Sequence, residues 1–368
     1  MKKIISAVLL LCMIVSLVAC SQEPEITYTP PTAAPTTPTE PAPTEPAPTE
    51  PPAPVTAYRH PLTGEPLEEP WTGRPTSVSM GNTKAAMPQH GINQAALIYE
   101  AEVEGASTRI MAVFGDVKDL QPIGPVRSAR TFFNNISVSL DAVIFHAGGS
   151  VRGRNGYHDI SGGKIDNWAH INALYGSTSS AFYRDKDRKN AGYNLEHTMF
   201  TNGEKMQAIL EKKELTKVNE GGTVTGLNFV EDFPLTGTTA NTVTVKFKAG
   251  KTSIFTYDAA TGLYSASQYK KDWIDGNTDE VMKFKNLVVL DVEQKTKSDG
   301  EYPRSYYTLV GEGSGWLVID GQMVEINWSR SELTAPFVYT LKDGTAVSFE
   351  PGRTYTALSG AKEPITCE

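Results

Sequence analysis

Ser128-Ala129-Arg130-Thr131-Phe132-Phe133-Asn134-Asn135-Ile136-Ser137-Val138-Ser139-Leu140 runs directly into Asp141-Ala142-Val143-Ile144-Phe145-His146. The first thirteen residues carry apolar side chains at helical spacing. The next six are a short apolar run, rich in β-branched and aromatic residues, that ends on a polar one. A helix leading into a strand is therefore expected. Upstream, Ala96–Glu102 and Thr108–Phe114 read as two further strands. Downstream, Thr201-Asn202-Gly203-Glu204 has the spacing of a capping box, with Met206, Ile209 and Leu210 following at helical intervals, so a helix near 202–214 closes the region. Residues 58–215 are thus expected to form a mixed α/β domain.

Past the glycine-rich stretch Asn219-Glu220-Gly221-Gly222 the character changes. Residues 216–368 are rich in Val, Thr, Tyr and Phe, with turn signals at Asp258–Gly262, Asp275-Gly276-Asn277, Asp320-Gly321 and Asp343-Gly344. This pattern predicts short strands joined by hairpins, of which Val243–Phe247 and Leu287–Val292 are the clearest. The expected class is α+β, an N-terminal mixed α/β domain followed by a mostly antiparallel β-rich one. Trp316 and Trp328 have the chemistry of a carbohydrate platform, though aromatics in such a region more commonly pack a core.

The first 57 residues obey different rules. Lys2 and Lys3 precede an apolar run from Ile4 to Val18, and Leu17-Val18-Ala19-Cys20 ends it. Fifteen apolar residues fall short of the ~20 needed to span a bilayer as a helix. The order of charged, apolar and small regions is that of a cleavable export signal over residues 1–19, and the cysteine after Ala19 resembles a bacterial lipobox. Lipidation of Cys20 would anchor the chain on the outer face of the cell membrane through several acyl chains. Residues 20–57 form a Pro/Thr/Glu-rich spacer: Ser21–Val55 holds 12 of the 24 prolines and the tandem units at 41–45 and 46–50. Such composition cannot build a core, and in extended polyproline II form it would reach roughly 100 Å. Of three cysteines, Cys12 leaves with the signal and Cys20 carries lipid, so Cys367 is left without an intrachain partner.

The 368 residues hold 34 basic and 42 acidic side chains. Residues 1–57 contribute two lysines and five glutamates, leaving 32 basic against 37 acidic groups in the rest, a balance that disfavours nucleic-acid binding. Nine of the twelve arginines nevertheless precede residue 216, and the guanidinium fork suits carboxylates and phosphates.

Three segments look like parts of a site. In Gly124-Pro125-Val126-Arg127-Ser128-Ala129-Arg130, Ser128 is placed to cap the helix start, and Arg127 and Arg130 flank the first turn as a receptor for an anion. The alternative is an internal salt-bridge cluster with Glu100, Glu102 or Glu104. His146 ends its strand and opens into Gly148-Gly149, whose backbone permits close approach of a ligand. This pair lacks the spacing of a phosphate loop. Third, Arg184, Asp185 and Arg188 precede His197, and Asp185 with His197 would make an acid/base pair. The histidines are too widely spaced for a local metal motif, no Gly-x-Ser-x-Gly elbow occurs, and no cofactor is called for.

These blocks together resemble the YerB-type bacterial lipoproteins. The resemblance rests on Arg74-Pro75 through Asn82, Pro88-Gln89-His90-Gly91, Ile98-Tyr99-Glu100, Val103-Glu104-Gly105, Thr108-Arg109, the block 124–130, His146 through Ser150, Phe182-Tyr183-Arg184-Asp185 and His197 through Lys205. Trp328, Pro336, Asp343-Gly344 and Pro351-Gly352-Arg353-Thr354 extend it towards the C-terminus. Two departures stand out. Glu196 and Thr198 flank His197 where the family usually reads Pro-His-Asn, and Tyr355 stands where tryptophan is common. The resemblance implies export and two-domain organisation; it supplies no reaction. The sequence therefore predicts a membrane-anchored extracytoplasmic protein that binds an anionic or carbohydrate-like envelope ligand, such as a cell-wall polymer, through Arg127, Ser128, Arg130, His146, Gly148, Gly149, Arg184, Arg188, Asp185 and His197. The alternatives are a hydrolase of an envelope polymer with Asp185 and His197 as catalytic pair, and a protein-interaction scaffold working through residues 216–368.

Overall fold

A computed structural model describes residues 58–149, 169–218, 225–298 and 303–368. The export signal, Cys20, the spacer and Ser150 lie outside the described residues. In chain order the elements that position the site are β1 (Thr76–Asn82), β2 (Leu97–Val103), β3 (Ser107–Phe114), α1 (Thr131–Ser139), β4 (Val143–His146), β5 (His170–Asn172), α2 (Lys186–Asn190) and α3 (Gly203–Lys212). They continue with β6 (Thr242–Lys246), β7 (Thr252–Asp258), β8 (Leu263–Gln268), β9 (Asn286–Asp291), β10 (Gly311–Ile319), β11 (Gln322–Arg330), β12 (Thr354–Ser359) and β13 (Ile365–Cys367).

β2 is buried at every position because both faces of its sheet are covered. Its side chains alternate between two cores: Ile98 points to one, Leu97 and Tyr99 to the other. β3 repeats the division, with Ile110, Ala112 and Phe114 on the first side and Met111 and Val113 on the second. The first core is completed by Phe255 and Tyr264 of the smaller sheet, and the second by Phe132, Phe133 and Ile136 of α1. Fully burying each of these large apolar side chains stabilises the fold by about 1.5–3 kcal/mol.

The large sheet has the order β11-β10-β9-β12-β2-β3-β1-β4-β5, with short Thr238–Thr239 beyond β11 and Val338–Leu341 also pairing with β11. β12 lies between β9 and β2, parallel to both, with Thr354 opposite Leu97 and Leu358 opposite Ala101. The sheet therefore runs unbroken from strands before residue 150 to strands after residue 280. The smaller sheet orders β8-β7-β6-β13, all antiparallel. The fold is α+β, with the helices in the N-terminal part and mostly antiparallel pairing in the C-terminal part, as expected.

Two helix starts differ from the sequence reading. α1 begins at Thr131 with Arg130 at its N-cap position, and Ser128 does not cap it. The reason is tertiary. The Arg127 N–H donates to Ser79 O (2.7 Å), the Ala147 N–H to Arg127 O (3.0 Å) and the Ala129 N–H to Gly148 O (3.0 Å), which hold 127–129 extended between β1 and β4. α3 is capped by Asn202, whose side chain accepts from the Lys205 N–H, while the Thr201 hydroxyl donates to Ala181 O. Trp328 is a core residue, its indole N–H donating to Asp291 O (3.2 Å), and Trp316, on β10, is half-buried against the other core. Among the described residues no helix is long and apolar enough to cross a membrane.

Candidate functional site

The extended strip 126–129 brings together the ends of three segments. Besides its bonds to Ser79, Ala147 and Gly148, it donates the Val126 N–H to Met199 O (2.7 Å). Arg127, Ser128, Gly148 and the Glu196-His197 pair thereby share one rim. Gly148 sits at φ +83°, a conformation that favours glycine, and a Cβ there would press on the end of the exposed Leu174 side chain. Gly149 follows, half-buried.

Four guanidinium groups gather along this rim. Arg127 Nη2 lies 2.8 Å from Glu196 Oε2 and its Nη1 donates to Glu196 O (3.3 Å). Arg130 pairs with Glu104 and also donates to Ala129 O. Arg304 Nη1 donates to Glu104 Oε1 (2.7 Å), and Arg109 Nη2 is 3.9 Å from the same oxygen. Arg109 Nη1 donates to Ser128 O (2.6 Å). Burial, then the Arg127 and Arg304 charges, pull the Arg109 guanidinium down to about 9, against the opposing effect of Glu196. Water-excluded positive charge of this kind favours an arriving anion.

The remaining candidates do other work. Arg188 is buried, donates to Ala86 O, His197 O and Pro88 O, and stacks at 4.8 Å on Tyr193 and 5.1 Å on Phe200, so it clamps backbone and is not presented to a ligand. Exposed Arg184 donates to Leu195 O and to Thr198 Oγ1 (3.3 Å). Asp185 Oδ1 accepts from the Arg188 N–H (2.8 Å) as the N-cap of α2. It does not pair with His197, whose Nε2 faces Glu196 Oε1 at 3.4 Å and whose Nδ1 is buried without a hydrogen-bond partner among the described residues. The expected Asp185–His197 couple is thus not formed, because the turn into α2 needs the carboxylate locally. His146 is fully buried. Its Nδ1 lies 2.7 Å from Gly148 O, which can only accept, so in the neutral ring Nε2 accepts from His170 Nδ1 at 3.0 Å. Burial, with the neighbouring His170, lowers His146 to about 3, and burial lowers His170 to about 4. This stacked pair is a structural latch between β4 and β5.

Arg109 and Arg304 were not among the candidates. Arg109 had a signal, as the single charged residue in the otherwise uncharged strand Ser107–Phe114. Arg304 had none, since it arrives from almost 200 positions away. Among the described residues no group of three or more His, Cys, Asp or Glu is placed to hold a metal ion.

The N-terminal domain of a family described as "Protein of unknown function (DUF3048)" matches residues 62–216, and the C-terminal domain of the same family matches 243–356. The chain belongs to the DUF3048 family. A relative, "Putative lipoprotein YerB" of Bacillus subtilis (strain 168), is 26% identical over 313 residues, covering 80% of this chain and 84% of the relative. The crystal structure of YerB protein from Bacillus subtilis superposes with a TM-score of 0.70 at 25% identity, covering 84% of this chain and 99% of that one. The sequence resemblance and the three-dimensional one thus point to the same relative.

Proposed function

We propose that this protein is a lipid-anchored extracytoplasmic binding protein, held at the outer face of the cell membrane by acylated Cys20 and a proline-rich spacer, whose arginine rim takes the carboxylate or phosphate of an envelope ligand. The observation that carries the reading is Arg109, a buried guanidinium pressed by Arg127 and Arg304 beside a rim on which Arg127 is still partly accessible. A charge-assisted bond from either arginine contributes about 1.5–3 kcal/mol, enough for a tenfold change in affinity when lost. The lipoprotein name of the relative supports the anchoring half. The hydrolase reading lacks its paired base, because Asp185 is engaged at α2.

Two experiments test it. Replacing Cys20→Ser should abolish incorporation of labelled palmitate and release the chain from membranes. Sedimentation of the full chain in detergent with purified envelope fractions should show binding that falls tenfold or more in an Arg109→Gln/Arg127→Gln variant. Undiminished binding by that variant, with its fold intact, would overturn the anion reading.

A further inference from the structure

Away from the arginine rim, a cavity of about 280 Å³ lies between the Lys84–Pro88 segment and the hairpin at Gln268–Ile274. Its walls are Met87, Pro88, Tyr269 and Ile274, its lining includes Gln268, and Lys84, Lys271 and Asp272 stand exposed around it. The volume falls just below the ~300–1,000 Å³ typical of small-molecule sites, so the occupant is small.

Gln268 is the informative residue. It is 4% exposed, and its amide nitrogen donates to Asn82 Oδ1 (3.0 Å) and contacts Met87 Sδ (3.7 Å), which fixes which end of the amide is which. Asn82 Oδ1 also accepts from Gln89 Nε2 (2.8 Å), so a flipped Gln268 amide would set oxygen against oxygen. Gln268 Oε1, closed off from solvent, has no hydrogen-bond partner among the described residues. A buried acceptor left unpaired is costly, and a small movement of the amide towards the cavity would let an entering N–H or O–H donor remove that cost.

The backbone adds a second sign. Gln268 and Lys271 pair across the two-residue turn Tyr269-Lys270, with φ of +54° and +62°. Turns that are left-handed at both central positions are normally filled by Asn-Gly, so tyrosine and lysine here are locally unfavourable. The Tyr269 hydroxyl donates to Asn82 O (2.6 Å), anchoring the ring at the cavity wall. Strain retained in a turn that lines a cavity points to use of that turn.

We propose that this cavity binds a small aromatic carboxylate bearing an N–H donor. The N–H bonds Gln268 Oε1, and the ring packs between Tyr269, Pro88, Ile274 and the Met87 thioether, a favourable neighbour for an aromatic edge. The carboxylate meets Lys84 and Lys271, two cations against the one carboxylate of Asp272. The site draws on both parts of the family match and is independent of the arginine rim.

Methyl-labelled methionine NMR on the full chain in detergent reads the site directly, since Met87 is in its wall and its resonance is assigned with Met87→Leu. Three probes separate the contributions: indole-5-carboxylate, naphthalene-2-carboxylate, which lacks the donor, and indole, which lacks the acid. The expected result is a saturable shift of Met87 with indole-5-carboxylate, at an affinity about fivefold or more above either control. Lys84→Gln with Lys271→Gln, both on the surface, should erase the advantage over indole, and Gln268→Met the advantage over naphthalene-2-carboxylate. Absence of a saturable Met87 shift, equal response to all three probes, or an unchanged preference in the folded lysine variant would each overturn the proposal.

Discussion

Lys251 and Glu100, 151 positions apart, form an ion pair inside the molecule with side-chain exposures of 4% and 0%. Around it the carboxylate accepts from Asn82 Nδ2 (2.8 Å), Thr108 Oγ1, Ser253 Oγ (2.8 Å) and the Tyr355 hydroxyl (2.7 Å). Burial works to raise the Glu100 pKa, but the Lys251 charge and these bonds outweigh it and hold the carboxyl below its ordinary value. Tyr355, one of the two departures from the family pattern, is thus a donor to the most buried charge in this network.

Removing one member of that pair leaves a buried charge unmatched. Lys251→Met is expected to cost about 3–5 kcal/mol, whereas Glu100→Leu combined with Lys251→Met should cost less than the two single changes added together. Denaturant titration of the three variants checks this, and strict additivity would show that the two groups do not act as a pair.

Acid should loosen the β4–β5 latch. With His146 near 3 and His170 near 4 against an ordinary 6.5, the unfolded chain takes up protons that the folded one refuses. Stability is therefore full above about pH 6.5 and falls as the pH drops from there towards 4, by on the order of a few kcal/mol. Denaturation midpoints at pH 7.5 and 4.5 measure the fall, which should shrink in a His146→Gln variant.

Asp185 distinguishes a cap from a catalyst. Asp185→Asn keeps an oxygen on the Arg188 N–H and should leave stability within a few tenths of a kcal/mol, while Asp185→Ala should cost about 1 kcal/mol. Thermal unfolding of both variants decides. A base acting on His197 would instead be lost equally in either.

Glu196 competes for Arg127. Glu196→Gln removes the carboxylate that occupies the guanidinium and should strengthen binding to envelope fractions about threefold, with a steeper dependence on ionic strength. Weaker binding would mean that Glu196 is itself a ligand contact.

What was legible in the sequence was what local pattern determines. Alternation and apolar runs located β2, β3, β4, β6 and β9 within a residue or two, and Asp320-Gly321 marked the tight turn between β10 and β11, where both residues adopt positive φ. Helix starts were misplaced where distant backbone claimed the capping residues, as with Ser128 and Thr201. The site divides in the same way. Arg127, Ser128, Gly148 and His197 share a rim through hydrogen bonds between neighbouring segments, but Arg188 and Asp185 carry charges whose use is set by burial and by the local turn. Arg304 and Lys251 take their meaning from partners some 150 to 200 residues upstream, a relation no local reading contains.

The placement of β12 orders events in time. Thr354–Ser359 follows every other strand of the large sheet in chain order, yet occupies an interior berth between a strand begun at Leu97 and another begun at Asn286. Until it arrives, β2 and β9 each present an unsatisfied edge. The seam between β2 and β9 therefore closes only once residue 359 is in place, and truncation before residue 354 would leave no way to close it.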